Sequence, residues 1–315
     1  MGKKWLIGQG ATAVDTVLYC DGQVQLDGFT HAVSECVTSG GSAANLLVTA
    51  AALGIPSALV AKIGDDSFGR QFRRELLEDG VSDRYLMECP GGVTLHTYIA
   101  VAPDGGRSII VHGGDCYHTL SGEDIPEDIL DEAFLLYTDG SPKPGAAALA
   151  RLAGERNIPV FYQRECPESG QDLQCRELGE ALLECADLIS GGPEIFRQLV
   201  GSDLPETALE KTYDRWKPES GVIMTAGSRG AYWYDGRTLL HQPVFPVRSV
   251  DSTGAGDAFC GGLIFAHYVR HWSKPESLRF AAACGAMKCM VRGPRLRAAE
   301  AEVLQLIEQY PEEAL

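Results

Sequence analysis

The second half of the sequence alternates between short apolar segments and longer amphipathic segments, and this alternation restricts the fold more than any other feature. The apolar segments have the length of buried strands and lie at 134–138, 160–163, 188–190 and 221–225. The segments between them have helical periodicity and lie at 145–157, 178–185 and 193–200. Strands that alternate with helices pair in parallel and are covered by helices on both faces. The pattern therefore predicts an α/β fold with a central, mostly parallel sheet.

Two segments of the first half, 16–38 and 93–112, have strand patterning but belong to no strand–helix unit. The second segment reads as a hairpin around a turn at 103–106. We expect both segments to form a small antiparallel sheet that stands off the main sheet as a lid. A lid of this kind would exclude water from the site beneath it. No linker or repeat interrupts the chain, so residues 1–315 are predicted to form a single domain with the lid inserted.

The composition restricts the class of protein. The 315 residues are 45% hydrophobic, and the formal net charge of −16 argues against a nucleic-acid partner. No apolar run approaches the roughly 18 residues that a membrane span needs. The ten cysteines include no C-x-x-C pair, and a charged tip leads directly into a strand where a signal peptide would begin. We therefore expect a cytoplasmic protein without disulfides or a zinc site.

A glycine-rich turn joins an extended run, 242–250, to a helical segment that starts near Ala258. Residues 251–259 read DSTGAGDAF. The small residues at 254–256 would let backbone N–H groups surround an anion, with the positive end of the helix behind them. Asp257 could then accept a proton from a substrate hydroxyl, an arrangement suited to phosphoryl transfer. The alternative is an ordinary strand-to-helix turn in which Asp257 is a first-turn acid.

Polar residues near the start of the chain suggest a ligand site. Asp15 follows the first predicted strand, 5–10, at a position where open α/β sheets bind ligands. Gly40 and Gly41 open a clear helix and would allow a substrate to approach the backbone, while Asn45 offers both a donor and an acceptor. Capping or turn roles would explain the same residues without a ligand.

Residues 251–259 resemble the second signature of the phosphofructokinase B (ribokinase-like) sugar kinases, D-[ST]-x-G-A-G-D-x-F. The resemblance covers nearly the whole chain, from Asp15 through Gly64 and Gly69 to near Gly293. It implies a ribokinase-like fold, ATP as the phosphoryl donor and Mg²⁺ as a cofactor. The segment 106–111 and a glutamate at 165 are similar to ketohexokinase relatives in particular.

The resemblance also implies roles for individual residues. Asp257 would be the catalytic base, and Gly254, Ala255 and Gly256 would form the anion hole. The residues that would bind the sugar are Asp15, Gly40, Gly41, Asn45 and Glu165. The residues that would line the nucleotide site are Thr225, Gly227, Gly230 and Ala283.

The sequence departs from the family pattern at the expected metal positions. The N-x-x-E motif tied to magnesium reads GGPE, so Glu194 is present and Gly191 replaces the asparagine. Glu194 could still act on Mg²⁺ through waters. Asp251 and Thr253 match positions that help to hold a monovalent cation such as K⁺. In the second loop of that site, near Lys288 and Gly293, Arg297 stands where a small residue is usual.

These observations favour an ATP-dependent sugar kinase that phosphorylates a hydroxymethyl group. A nucleoside kinase of the same family is an alternative, and its base would need a stacking aromatic such as His96, Tyr98 or His112. A catalytically silent sugar-binding relative is a third hypothesis, which Gly191 mildly favours and Asp257 opposes.

The lids of ribokinase-like relatives often clasp each other, and the resemblance implies a homodimer here. A small sheet that stands off a domain has one face uncovered unless a partner supplies the cover. The candidate residues for that face are His31, Val33, Leu95, Tyr98 and Ile99.

Overall fold

The computed structural model describes residues 4–104, 106–164 and 173–311. The strands in these ranges are β1 Trp5–Gln9, β2 Ala13–Cys20, β3 Ala32–Gly40, β4 Ser57–Gly64, β5 Ser82–Cys89, β6 His96–Val101, β7 Arg107–His112, β8 Ala133–Thr138, β9 Val160–Arg164, β10 Leu188–Gly191, β11 Gly221–Thr225, β12 Ala231–Tyr234 and β13 Leu239–Gln242. The helices are α1 Ser42–Ala52, α2 Ser67–Glu78, α3 Lys143–Glu155, α4 Leu173–Cys185, α5 Pro193–Val200, α6 Pro205–Trp216, α7 Ala255–Leu263, α8 Lys274–Cys289 and α9 Glu300–Gln309.

The described strands form one sheet of nine and a separate sheet of four. The order in the large sheet is β13-β12-β11-β10-β9-β8-β1-β4-β5, and the pairs from β11 to β5 are parallel. Only the pairs β11–β12 and β12–β13, at one end of this sheet, are antiparallel. The predicted α/β fold with a mostly parallel central sheet is confirmed. No helix in the described ranges has the length and apolar character needed to cross a membrane.

Hydrophobic side chains cover both faces of the large sheet. Successive residues of β1 point to opposite faces, so Leu6 packs in one core cluster and Ile7 in the other. The cluster around Leu6 includes residues of α1, α2, α7, α8 and α9, whereas the cluster around Ile7 includes residues of α3, α4, α5 and α6. The helices therefore cover the sheet on both sides, as strand–helix alternation requires.

The small sheet has the order β3-β2-β6-β7. Its pairs β2–β3 and β6–β7 are antiparallel, but β2 and β6 are parallel. The expectation of a purely antiparallel lid was therefore wrong. After β3 the chain returns to the large sheet, where it forms β4 and β5, and it then enters the lid again as β6. Strands β2 and β6 both enter the lid from the main domain at the same end, so they run in the same direction.

Helix α7 packs tightly between α1 and α8 because two of its residues lack side chains. A Cβ atom added at Gly261 would lie 2.9 Å from the Leu46 carbonyl oxygen of α1. A Cβ atom at Gly262 would lie 2.6 Å from Cys284 Sγ of α8. Any larger residue would push the helices apart, so the two glycines fix how closely α1 and α8 approach α7 near its C-terminal end.

A buried ion pair ties the end of α2 to the segment that follows α8. Arg295 Nη1 lies 2.9 Å from Asp79 Oδ2, and the two side chains are 2% and 6% exposed. Arg297 Nη2 also donates to Asp79 Oδ2 at 2.9 Å. Arg297, which departs from the family pattern, thus faces the end of α2.

Replacing Asp79 with alanine should therefore destabilise the protein strongly, because the Arg295 guanidinium would remain buried without its partner. We expect a loss of about 3–5 kcal/mol in the free energy of unfolding, measured by urea denaturation. Glu78→Ala is the matched control, since Glu78 pairs with Arg74 only at the exposed surface, 4.0 Å away, and should cost about 0.5 kcal/mol or less. Equal losses for the two variants would contradict the structural role of Asp79.

Candidate functional site

The glycine-rich turn forms a tight loop at the start of α7. Gly254 is the N-cap of the helix and has φ 77°, in the left-handed region. A Cβ atom at Gly254 would lie 1.9 Å from the Pro294 carbonyl oxygen, so only glycine fits there. An added Cβ at Gly256 would meet no heavy atom within 4 Å, which shows that the loop is open on that side. The first turn of a helix has N–H groups that no intrahelical acceptor uses, so an anion could bind here.

Asp257 lies in the first turn of α7 and is only 5% exposed. Asn45 of α1, also 5% exposed, donates from Nδ2 to Asp257 Oδ2 over 2.8 Å. Among the described residues the Asn45 Oδ1 atom is buried and accepts no hydrogen bond. A buried acceptor without a partner costs about 1–3 kcal/mol. The structure thus brings two predicted site residues together and leaves one polar atom that a ligand hydroxyl could satisfy.

Asp15 lies within β2, at the base of the lid, and not simply after the first strand of the main sheet. Thr97 Oγ1 of β6 donates to Asp15 Oδ1 over 2.5 Å. Burial raises the pKa of Asp15, and the hydrogen bond from Thr97 opposes that shift. A Cβ at Gly40 would lie 2.7 Å from Asp15 Oδ2, so the glycine makes room for the carboxylate.

Gly41 joins the lid to the helix that carries Asn45. It is the N-cap of α1 with φ 93°, and a Cβ there would lie 2.0 Å from the Ala11 carbonyl oxygen. Gly41 therefore packs directly against the segment between β1 and β2. The predicted sugar-site residues that the structure describes thus occupy two connected places, Asp15 with Gly40 and Gly41 with Asn45; Glu165 lies outside the described residues.

The residues predicted for the nucleotide site follow β11. Thr225 is the last residue of that strand, and Gly227 and Gly230 form the next turn with φ 58° and 85°. A Cβ at Gly227 would meet nothing within 4 Å, whereas a Cβ at Gly230 would lie 2.1 Å from the Gln242 carbonyl oxygen. Ala283 differs from the other three because it is fully buried in α8, so its methyl group contacts the core.

Glu194 lies in the first turn of α5, immediately after β10. Its half-exposed carboxylate pairs with Arg197 on the same helix. A Cβ at Gly191 would lie 3.1 Å from Ile195 Cγ2 and 3.2 Å from the Arg164 carbonyl oxygen, so an asparagine there would be crowded. The described residues contain no group of three or more His, Cys, Asp or Glu side chains that could hold a metal. Glu194 therefore fits Mg²⁺ only as a single carboxylate that acts through waters.

Asp251 connects the glycine-rich loop to the segment after α8. Its Oδ1 accepts from the Thr253 N–H and its Oδ2 from the Gly293 N–H, each over 3.0 Å. Burial acts to raise the pKa of Asp251, but these hydrogen bonds and the nearby Lys288 lower it below its ordinary value. The carboxylate oxygens are thus already engaged by the protein.

Lys288 is fully buried and donates from Nζ to the Asp251 carbonyl oxygen over 2.9 Å and to the Val291 carbonyl oxygen over 3.1 Å. A monovalent cation between the two loops would need such carbonyl oxygens as ligands. Because a lysine ammonium group already takes them, these residues do not fit a bound K⁺. The expectation that Asp251 and Thr253 hold a monovalent cation is therefore not supported by the geometry.

Two basic residues near this loop have no role that the sequence predicts. Arg107 of lid strand β7 donates from Nη1 to Thr253 Oγ1 over 3.3 Å, and its Nη2 lies 3.9 Å from Asp251 Oδ1. The second of these basic residues is Lys288. It is the single charged residue in the small and apolar stretch 280–291, which reads FAAACGAMKCMV, and this pattern could have indicated a buried charge. For Arg107 the sequence has no comparable signal, because charged residues are ordinary on lid strands.

Comparisons with known proteins identify the family and the fold. Residues 10–301 match the family model for pfkB family carbohydrate kinases. The chain is 30% identical over 297 residues to an ATP-dependent ribose-1-phosphate kinase of Halopiger xanaduensis, covering 92% of this chain and 93% of the relative. The solved structure of Arabidopsis thaliana ribokinase complexed with ribose and ATP is similar with a TM-score of 0.81, at 22% identity over 98% of this chain and 99% of that one. A nucleoside kinase of Methanocaldococcus jannaschii has the same TM-score, at 20% identity over 98% and 100%.

The geometry of the loop predicts different effects for two neighbouring glycines. Gly254→Ala would force a left-handed residue and a contact with the Pro294 carbonyl, so it should lower the free energy of unfolding by more than about 1–2 kcal/mol. Gly256→Ala adds a methyl group in open space within a helix and should leave stability unchanged or raise it by up to about 1 kcal/mol. Urea denaturation of both variants is the measurement. A Gly254→Ala variant as stable as the wild type would show that the loop does not need this conformation.

Proposed function

The chain belongs to the pfkB family of carbohydrate kinases, and we propose that it transfers the γ-phosphoryl group of ATP to a hydroxymethyl group of a small sugar. The observation that carries this proposal is the buried Asp257–Asn45 pair at the open start of α7. A carboxylate held in place beside a possible anion site suits a reaction in which the protein mainly positions groups and stabilises charge. The family membership makes the protein a sugar or nucleoside kinase; the acceptor group and the residue roles are our proposal.

Asp257 acts as the general base. It accepts the proton of the sugar hydroxyl while the hydroxyl oxygen forms a bond to the γ-phosphorus and the bond to the ADP oxygen breaks. The hydrogen bond from Asn45 fixes the orientation of the carboxylate. The N–H groups at Gly254, Ala255 and Gly256 stabilise the negative charge on the transferred group.

The sugar binds between the base of the lid and the start of α1. Asn45 Oδ1 is a buried acceptor without a partner among the described residues, and a sugar hydroxyl would supply the missing donor. Asp15, with one oxygen engaged by Thr97, has a second oxygen close to Gly40 that can accept from another hydroxyl. We also assign Gly41 and Glu165 to this sugar site, as the family resemblance implies.

ATP binds along the turn after β11. Thr225, Gly227 and Gly230 lie at the carboxyl end of a parallel strand, the edge at which open α/β sheets bind ligands. Glu194 would hold Mg²⁺ through water, and a bound ion would neutralise charge on the donor phosphates. We retain Ala283 only as a residue that shapes the core behind this site, because its side chain is buried.

A nucleoside acceptor would need an aromatic ring face on which its base could stack. The His96 ring is stacked on Phe68 at 4.3 Å and on His112 at 4.6 Å between centroids, so both of its faces are taken. Tyr98 meets His96 edge-on, at 5.7 Å. These contacts use His96 to pack the lid against Phe68 of α2, so the ring of His96 has no free face on which a base could stack.

We propose that the protein is a homodimer in which the lids cover each other. The outer strands of the lid expose apolar side chains, with Val33 70% and Ile110 69% exposed. Tyr98 lies opposite Ile110 in the β6–β7 ladder and shares its face, whereas the exposed Ile109 and Val111 point to the opposite face. Exposed apolar patches of this kind mark interaction sites. A second copy of the chain presents an identical patch and is the occupant to which we commit.

A substrate panel with an inactive control tests the reaction. We expect ADP formation by the wild type with a ketohexose, ribose or a 2-keto-3-deoxy acid, and less with nucleosides. Asp257→Asn should lower turnover by roughly 10²–10⁴-fold, because the shape remains but the proton acceptor is lost. ATP affinity, measured by calorimetry, should not change. Asp214→Asn on the exposed side of α6 is the control and should keep full turnover. Turnover near the wild-type level in Asp257→Asn would refute the assignment of the base.

The dimer is tested by placing a charge in the lid surface. Ile110→Asp should give monomers in sedimentation velocity and lower turnover, because an interface that buries roughly 1,200–2,000 Å² would lose its centre. Leu204→Asp changes an equally exposed apolar residue outside the lid and should remain dimeric. A wild-type protein that sediments as a monomer at micromolar concentration would overturn the proposal.

A further inference from the structure

A fully buried lysine lies directly behind the glycine-rich loop. Lys288 is in the last turn of α8 and has 0% exposure. Lysine is almost never fully buried unless its ammonium group is paired. Here the hydrogen-bond partners of Nζ are the main-chain carbonyl oxygens of Asp251 and Val291. The buried ammonium group of Lys288 therefore bonds the backbone of two loops.

These two carbonyl oxygens belong to the two segments that shape the possible anion site. The Asp251 carbonyl precedes the loop that ends at Gly254, and the Val291 carbonyl precedes the segment that contains Pro294. The Pro294 carbonyl oxygen is the atom that a Cβ at Gly254 would meet at 1.9 Å. The Gly293 N–H also donates to the Asp251 carboxylate over 3.0 Å. A single ammonium group thus bonds both segments next to the point where they touch.

Opposite charges and carbonyl dipoles counteract the effect of burial on Lys288. Burial lowers the pKa of Lys288 overall, and the carboxylates of Asp251 and Asp257 oppose that shift in part. Carbonyl dipoles that point at the group also favour its charged form. A positive charge at this depth is little screened by water and would act on an anion at the start of α7.

We propose that Lys288 is a built-in substitute for a monovalent cation. Its ammonium group holds the loop 251–254 against the segment 291–294 in the geometry needed to bind the transferred phosphoryl group, so that the enzyme works without added K⁺. Lys288 is a positioning residue, since it acts through the backbone of the loop and does not touch the substrate. The inference rests on the proposed function for its kinetic consequence, but the exchange of a cation for an ammonium group can be measured without turnover.

The test compares three proteins at a constant ionic strength of about 0.1 M, supplied by tetramethylammonium, potassium or ammonium chloride. Wild-type turnover should be the same in all three salts. Lys288→Ala removes the ammonium group and leaves the carbonyl oxygens, so kcat/KM for ATP should fall by about 10–100-fold in tetramethylammonium chloride. Potassium or ammonium ions should restore a large part of that loss. Lys288→Met fills the space with an apolar chain and should lose activity without rescue by either ion.

A second measurement uses no substrate. The melting temperature of Lys288→Ala should rise when potassium or ammonium replaces tetramethylammonium, whereas the wild type and Lys288→Met should not respond. Wild-type activity that K⁺ stimulates several-fold, or a Lys288→Ala variant that neither ion rescues or stabilises, would overturn the inference. If no sugar is phosphorylated, the proposed function fails, and the melting temperatures still decide the role of Lys288.

Discussion

The close packing of three helices is the constraint on which the site depends. Asn45 on α1 and Asp257 on α7 are separated by 212 residues, yet their side-chain atoms lie 2.8 Å apart. Gly261 and Gly262 allow this approach, because a Cβ at either position would collide with α1 or α8. Each glycine inside a helix costs about 0.5–1 kcal/mol relative to alanine. The glycines lower the stability of α7 but allow the short hydrogen bond between Asn45 and Asp257, and this hydrogen bond orients the carboxylate.

Buried charges and polar groups surround the same region, and protein atoms satisfy most of them. The Arg295–Asp79 ion pair anchors the segment after α8, and Lys288 bonds that segment to the loop before α7. An isolated buried charge would be far too costly, so each charge is compensated by an opposite charge or by carbonyl dipoles. The Asn45 Oδ1 atom is a buried acceptor that no described residue satisfies, and it lies where the proposed sugar hydroxyl would bind.

The lid contributes to both ends of the proposed site. Its strand β2 carries Asp15 at the sugar end, and its strand β7 carries Arg107, which contacts Thr253 beside the glycine-rich loop. Because β2 and β7 both pair with β6 in one sheet, the two contacts are mechanically connected. A shift of the lid would therefore alter the sugar end and the phosphate end together, which suits a reaction that must exclude water before it begins.

Local patterns in the sequence were sufficient for the fold class and the family, because strand–helix periodicity and the string at 251–259 involve neighbouring residues. The family prediction was confirmed over residues 10–301. Distant contacts could not be predicted in this way. The parallel pairing of β2 with β6, the position of Asp15 in the lid and the partners of Lys288 all depend on how segments far apart in the chain meet. A lysine in an apolar helix indicates a buried charge, but only the tertiary structure shows that its partners are two carbonyl oxygens, because the fold alone brings those loops together.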